Sequence, residues 1–287
     1  MGMPVEPALA ATRGAALRGK LWKEAIAVRV IDAHMHYGTD KNVAANTCVP
    51  YLVRGEPDSV IRLLDEQGAS HGVLFPHDRR QTPPWDADYN EANGDIGLAA
   101  LKYPDRIVGV ARIDPTFGAK HTQELIDRYV GEWNCRGLKL VAGYDFYRPN
   151  DMKVMGPLLD KAEEHNLTVL MHSGDAPRDL PYLQAQAAKA YPNVTFVLAH
   201  IGMHAFLWEA ILACQEYPNI NVDMSQAYPF DIMTFLKNVS VDRLQYGSDV
   251  PYQSPRVEQE KLRVIGLSEE DLEKVFWKNA ARIWRID

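Results

Sequence analysis

The chain has 287 residues, 46% of them hydrophobic and 24% charged, with a formal net charge of −7 at pH 7. This suits a globular protein with a large core, and the acidic balance argues against nucleic acid, whose phosphates call for clustered Lys and Arg. No run of about 18 apolar residues is present to cross a membrane, and Cys48, Cys135 and Cys214 form neither a disulfide framework nor a CxxC metal motif. The expectation is a cytoplasmic protein with reduced thiols and a small-molecule partner, homo-oligomerisation being left open.

Residues 1–25 are Ala-rich with scattered basic residues and are read as an N-terminal extension. Residues 26–287 are read as a single (β/α)8 TIM barrel, a fold that needs about 250 residues. Short apolar runs, the mark of parallel strands buried on both faces, fall at 28–33, 72–75, 107–113, 137–140, 168–171, 194–199, 220–222 and 244–246. The first is followed by a long connection, 37–57, suited to a lid or substrate loop.

Helices are expected between the strands. One spans 58–67 and stops at Gly68. Leu125, Ile126 and Tyr129 give a second helical face, and Leu158, Leu159 and Ala162 a third. Further helices are expected at 181–190 and 203–214, and 268–284 closes the chain with Ser268 as its N-cap. Eight strands with interleaved helices favour a closed barrel over an open sheet, which would also want a Gly-rich phosphate loop after strand one.

In such a barrel the chemistry sits at the carboxyl ends of the strands. Those ends carry His34 and His36, His77, Asp114, Lys139, His172, His200, Asp223 and Ser225, and Asp249. Residues i and i+2 of a strand share a face, so His34 and His36 can reach one ion, with His172 as a third ligand. Asp249 serves as ligand, as the base that takes a proton from water, or as both. His200 is read as an acid/base group beside the ion rather than a fourth ligand. Lys139 either bridges two ions as a carbamate or stays an ammonium for a substrate carboxylate; one divalent ion is the favoured count. His77, Arg112, Tyr144, Arg148 and Tyr228 are the outer candidates for substrate contact, His77, Arg148 and Tyr228 foremost.

The segments IDAHMH, RGLKL, VLMHSG, VLAHIGM, YGSDVP and KNAARIW together resemble the amidohydrolase superfamily, more narrowly its amidohydrolase-related branch of hydrolases and decarboxylases. The resemblance runs from about residue 30 to the C-terminus. It implies His34, His36 and His172 as metal ligands, Asp249 as ligand or acid/base, and His200 as the group that polarises substrate or moves a proton. It also implies zinc as the usual ion, with manganese the alternative. Val141 stands where many relatives carry His or Tyr before Pro, so substrate contacts do not carry over from that loop. The expected activity is metal-dependent hydrolysis of a small carboxylate-bearing amide, lactone or ester. The alternatives are non-oxidative decarboxylation on the same site and a non-catalytic metal site.

Overall fold

The computed structural model describes residues 28–38, 48, 56–77 and 86–287. The expected N-terminal extension and most of the 37–57 connection lie outside the described residues. Eight parallel strands pair in chain order: β1 (Ile31–Tyr37), β2 (His71–Pro76), β3 (Ile107–Arg112), β4 (Gly137–Leu140), β5 (Thr168–Met171), β6 (Phe196–Leu198), β7 (Ile220–Asp223) and β8 (Leu244–Gln245). The chain just past β8 returns to β1. Ala33 N–H donates to Tyr246 O (3.1 Å), Asp249 N–H to His34 O (2.8 Å) and His36 N–H to Val250 O (2.7 Å), which closes the barrel.

Around it lie α1 (Pro57–Gln67), α2 (Asn90–Lys102), α3 (Ala119–Trp133), α4 (Ala142–Asp145), α5 (Met152–Glu164), α6 (Pro181–Ala190), α7 (Leu207–Glu216), α8 (Pro229–Asn238) and α9 (Pro255–Val264). The chain ends in α10 (Glu269–Glu273), a π-helical turn (Lys274–Lys278) and α11 (Asn279–Trp284). Four helices open on proline, whose fixed φ and missing N–H suit the first helical position. Gly68 ends α1 at φ 72, as its place in the sequence suggests. Among the described residues no helix is long and apolar enough to cross a membrane.

Two expectations need correction. The helix expected from 203 begins only at Leu207, because His200, Ile201, Met203 and His204 all take left-handed backbone (φ 62, 47, 46 and 59). The helices α2, α8 and α9 were not anticipated. In α2 (NEANGDIGLAALK) two glycines and scattered apolar residues blur the periodicity, and packing of Ile96, Ala99 and Ala100 compensates.

One irregularity decides what the barrel mouth contains. Ile31 and Ala33 belong to the apolar cluster inside the barrel, whereas Met35 and Tyr37 belong to the layer between barrel and helices. The pairing of β1 with β2 shifts register between Asp32 and Met35, so two β1 residues oppose one on β2. Such a bulge exchanges the faces of the residues beyond it. It turns His34 and His36 inward in place of Met35 and Tyr37. The opposite end of the interior is filled from the C-terminus by Ala280, Ile283, Trp284 and Ile286.

Candidate metal centre

His34 and His36 stand on the inward face of β1, their ring centroids 5.5 Å apart, both against Phe75 of β2. Close approach of β8 is needed here: a Cβ at Gly247 would fall 2.5 Å from that of His34. Beyond Gly247 the chain reaches Asp249, held at φ 56, an uncommon conformation for a residue other than glycine. Its Oδ1 lies 3.2 Å from Nε2 of His34 and 3.2 Å from Nε2 of His36.

The other nitrogen of each ring is already engaged. His34 Nδ1 meets Asp223 Oδ2 at 2.8 Å, and His36 Nδ1 donates to the carbonyl of Pro76 at 3.0 Å. With Nδ1 carrying the hydrogen, each Nε2 turns a lone pair toward the Asp249 carboxylate. Three electron-rich atoms facing one another require a cation or added protons between them. The three groups come within 4.8 Å of one another and all are buried. Two imidazoles and a carboxylate, with the imidazoles oriented by a carboxylate and a carbonyl behind them, are a donor set for a divalent ion. The residues fit the group.

Electrostatics agree. Burial pushes His36 down to about 4, although Asp249 pulls the other way. At His34, burial and Lys139 act downward, yet Asp223 and Asp249 more than offset them and its pKa is raised. His34 is therefore the more readily protonated of the two rings. Burial alone would raise Asp249, but the neighbouring imidazoles, His34 foremost, hold its carboxyl well below the usual range. Lys139 is fully enclosed, with Nζ 3.5 Å from His34 Nε2, and burial lowers it to about 8.

His200 lies 4.9 Å from His34 between ring centroids, and burial depresses it to about 3. Ser225 Oγ donates to Asp223 Oδ1, so it accepts from His200 Nδ1 at 2.9 Å. His200 Nε2 is then an acceptor, 3.1 Å from Nδ1 of His172. His172 turns its Nε2 to Asp175 at 2.8 Å and belongs to none of the ligand groups found among the described residues. A second group joins His34, His200 and Asp223. There Asp223 already accepts through both oxygens, from His34 on one side and from Ser225 on the other.

Of the outer candidates, His77 stacks on His36 at 5.8 Å. Arg148 is exposed beyond α4, and Tyr228 is 62% exposed at the start of α8, edge-on to His204. Neither is brought to the cluster. Sequence reasoning marked Asp223 and Ser225 as strand-end residues without giving them a role; their i, i+2 spacing after an apolar run was the available signal. Gln226, which donates through Nε2 to Asp249 Oδ2, carried no signal at all.

A closed parallel barrel with this cluster at its carboxyl rim defines a class: a (β/α)8 enzyme with a candidate ion site at its mouth. The amidohydrolase family model matches residues 31–286, and the chain belongs to that family. A comparison with curated protein sequences finds no match.

Solved structures sharing the fold include 5-carboxyvanillate decarboxylase from Novosphingobium aromaticivorans, complexed with manganese and 4-hydroxy-3-methoxy-5-nitrobenzoic acid. It is 16% identical, with a TM-score of 0.71 over 90% of this chain and 96% of that one. The 2,6-dihydroxybenzoate decarboxylase from Rhizobium is 14% identical, with a TM-score of 0.71 over 91% of this chain and 99% of that one. A probable 2-pyrone-4,6-dicarboxylic acid hydrolase from Acinetobacter baumannii, with citric acid bound, is 18% identical, with a TM-score of 0.66 over 90% of this chain and 99% of that one. At these identities the likeness concerns the fold.

Proposed function

We propose that the chain is a metal-dependent hydrolase of small carboxylate-bearing amides, lactones or esters. His34, His36 and Asp249 would hold one divalent ion, zinc or manganese. His172 would join them once its ring turns from Asp175. A single ion is favoured because both oxygens of Asp223 and both nitrogens of His34 are otherwise committed. When bound, the ion supplies Lewis-acid polarisation and a lowered pKa for water.

The chain's own residues supply the proton handling. Asp249 is the base: its ionised carboxylate takes a proton from water and later returns it to the leaving atom. His200 is neutral at working pH, and its Nε2 lone pair orients a water or a substrate N–H. Lys139, an ammonium below about pH 8, offers a charge for the substrate's carboxylate, with His77 beside His36 as a further contact.

The observation that carries this reading is the position of Asp249, whose Oδ1 lies 3.2 Å from Nε2 of both His34 and His36, so that a carboxylate stands as proton acceptor where the ion would sit. Hydrolysis begins with a proton acceptor, whereas decarboxylation calls for a group that arrives protonated and gives its proton to carbon. Decarboxylation remains the second reading, favoured by the two decarboxylases of the same fold, one of them complexed with manganese.

The test is a panel of carboxylate-bearing lactones, amides and esters, run beside hydroxybenzoates with zinc- or manganese-loaded protein in ¹⁸O-water. Hydrolysis with one solvent oxygen in the product is expected, reduced about 10²–10⁴-fold by Asp249→Asn. CO₂ release from hydroxybenzoates, with no turnover of the other compounds, would contradict it.

A further inference from the structure

Three of the four residues that end β7 and begin its loop each touch a different group of the rim. Asp223 Oδ2 meets His34 Nδ1 at 2.8 Å, Ser225 Oγ meets His200 Nδ1 at 2.9 Å, and Gln226 Nε2 donates to Asp249 Oδ2. The first two orient rings. The third acts on a carboxylate, whose two oxygens are chemically alike until something distinguishes them.

We propose that Gln226 is a positioning residue that distinguishes them: its amide holds Oδ2 of Asp249, leaving Oδ1 alone to face Nε2 of both His34 and His36. The inference rests on the reading of Asp249 as ligand and proton acceptor. Without that amide the carboxylate turns about its terminal bond, a soft torsion, and can present either oxygen or both to an ion.

The backbone is arranged for the purpose. Gln226 takes φ 61, a left-handed conformation that residues with a side chain rarely adopt. Backbone held in such a sparsely populated conformation is a mark of functional sites. Here the strain swings the amide across from the β7 loop to the β8 loop.

The experiment measures the zinc dissociation constant by chelator competition in the full chain and in Gln226→Leu, Gln226→Asn and Asp249→Asn. The visible spectra of the cobalt(II)-loaded proteins and the melting temperatures of the metal-free ones are recorded alongside. Gln226→Leu should weaken zinc about 10–100-fold, the usual effect of removing a group behind a ligand. It should also change the cobalt spectrum and leave the metal-free melting temperature unaltered.

Gln226→Asn keeps an amide on a shorter arm and should fall between Leu and wild type; it also carries the test if Gln226→Leu does not fold. Wild-type zinc affinity and an unchanged cobalt spectrum in both Gln226 variants, with zinc lost in Asp249→Asn, would overturn the positioning role and spare the reading of Asp249. Zinc binding that survives Asp249→Asn unweakened would overturn both.

Discussion

Glu258 shows how burial writes a pH dependence into a single residue. Its carboxyl is raised from 4.5 to about 7, chiefly by burial, against the pull of Lys261. Between those two values the folded chain binds more protons at this site than the unfolded chain, so stability falls as pH rises through that window. At 1.36 kcal/mol per unit, the contribution is on the order of 3 kcal/mol. Glu258→Gln removes it. Urea unfolding of both proteins should therefore show the variant gaining on wild type by roughly that amount between pH 4.5 and pH 8. A stability gap constant across that range would contradict the account.

At the same scale the sequence was informative wherever a residue's role follows from its place at a strand end. His34, His36, Lys139, His200 and Asp249 all stand within one connected cluster. It was uninformative where a role depends on side-chain rotation. Nothing in VLMHSGD says that His172 will turn to Asp175, three residues on, and nothing in NVDMSQ says that Gln226 will cross to another strand's loop.

At the scale of elements, two features do most to shape the site. The bulge in β1 places the two imidazoles inside the barrel, and strict alternation from Ile31 and Ala33 would have put Met35 and Tyr37 there instead. The spacing of His34 and His36 predicts that they share a face; only the pairing with β2 says which. The second feature is the C-terminal helix. Trp284 is fully buried, its indole N–H donates to Gln245 Oε1 at 3.1 Å, and it packs with the interior of the barrel.

Its helix was legible because Ser268 and the apolar residues Val275, Phe276 and Ile283 mark one start and one face. The π turn in its middle was not, since that depends on packing rather than composition. Trp284→Ala should cost about 3–5 kcal/mol of stability, read by denaturant unfolding, while zinc affinity holds because the proposed ligands lie at the other end of the barrel. A variant as stable as wild type would remove the helix from its place as the plug.

The whole molecule is a device for bringing distant residues together. Strand order equals chain order, so each strand end lands on one rim in sequence, and His34 meets residues as far along as Asp223 and Asp249 within 3.2 Å. That regularity is why the fold could be read from eight apolar runs and why most of the candidate site followed from it. The helix α2 escaped because tertiary packing, not periodicity, sustains it; α8 and α9 do carry one-sided apolar faces and were legible in principle.

The rim's defining property is a convergence of three lone-pair donors that only a cation or protons can reconcile. The most direct test is a crystal structure of zinc-loaded protein with anomalous data at the zinc edge. The account predicts one strong peak bonded, at about 2.0–2.2 Å, to His34 Nε2, His36 Nε2 and Asp249 Oδ1. A peak elsewhere, or none at those three atoms in protein that carries stoichiometric zinc, would contradict it.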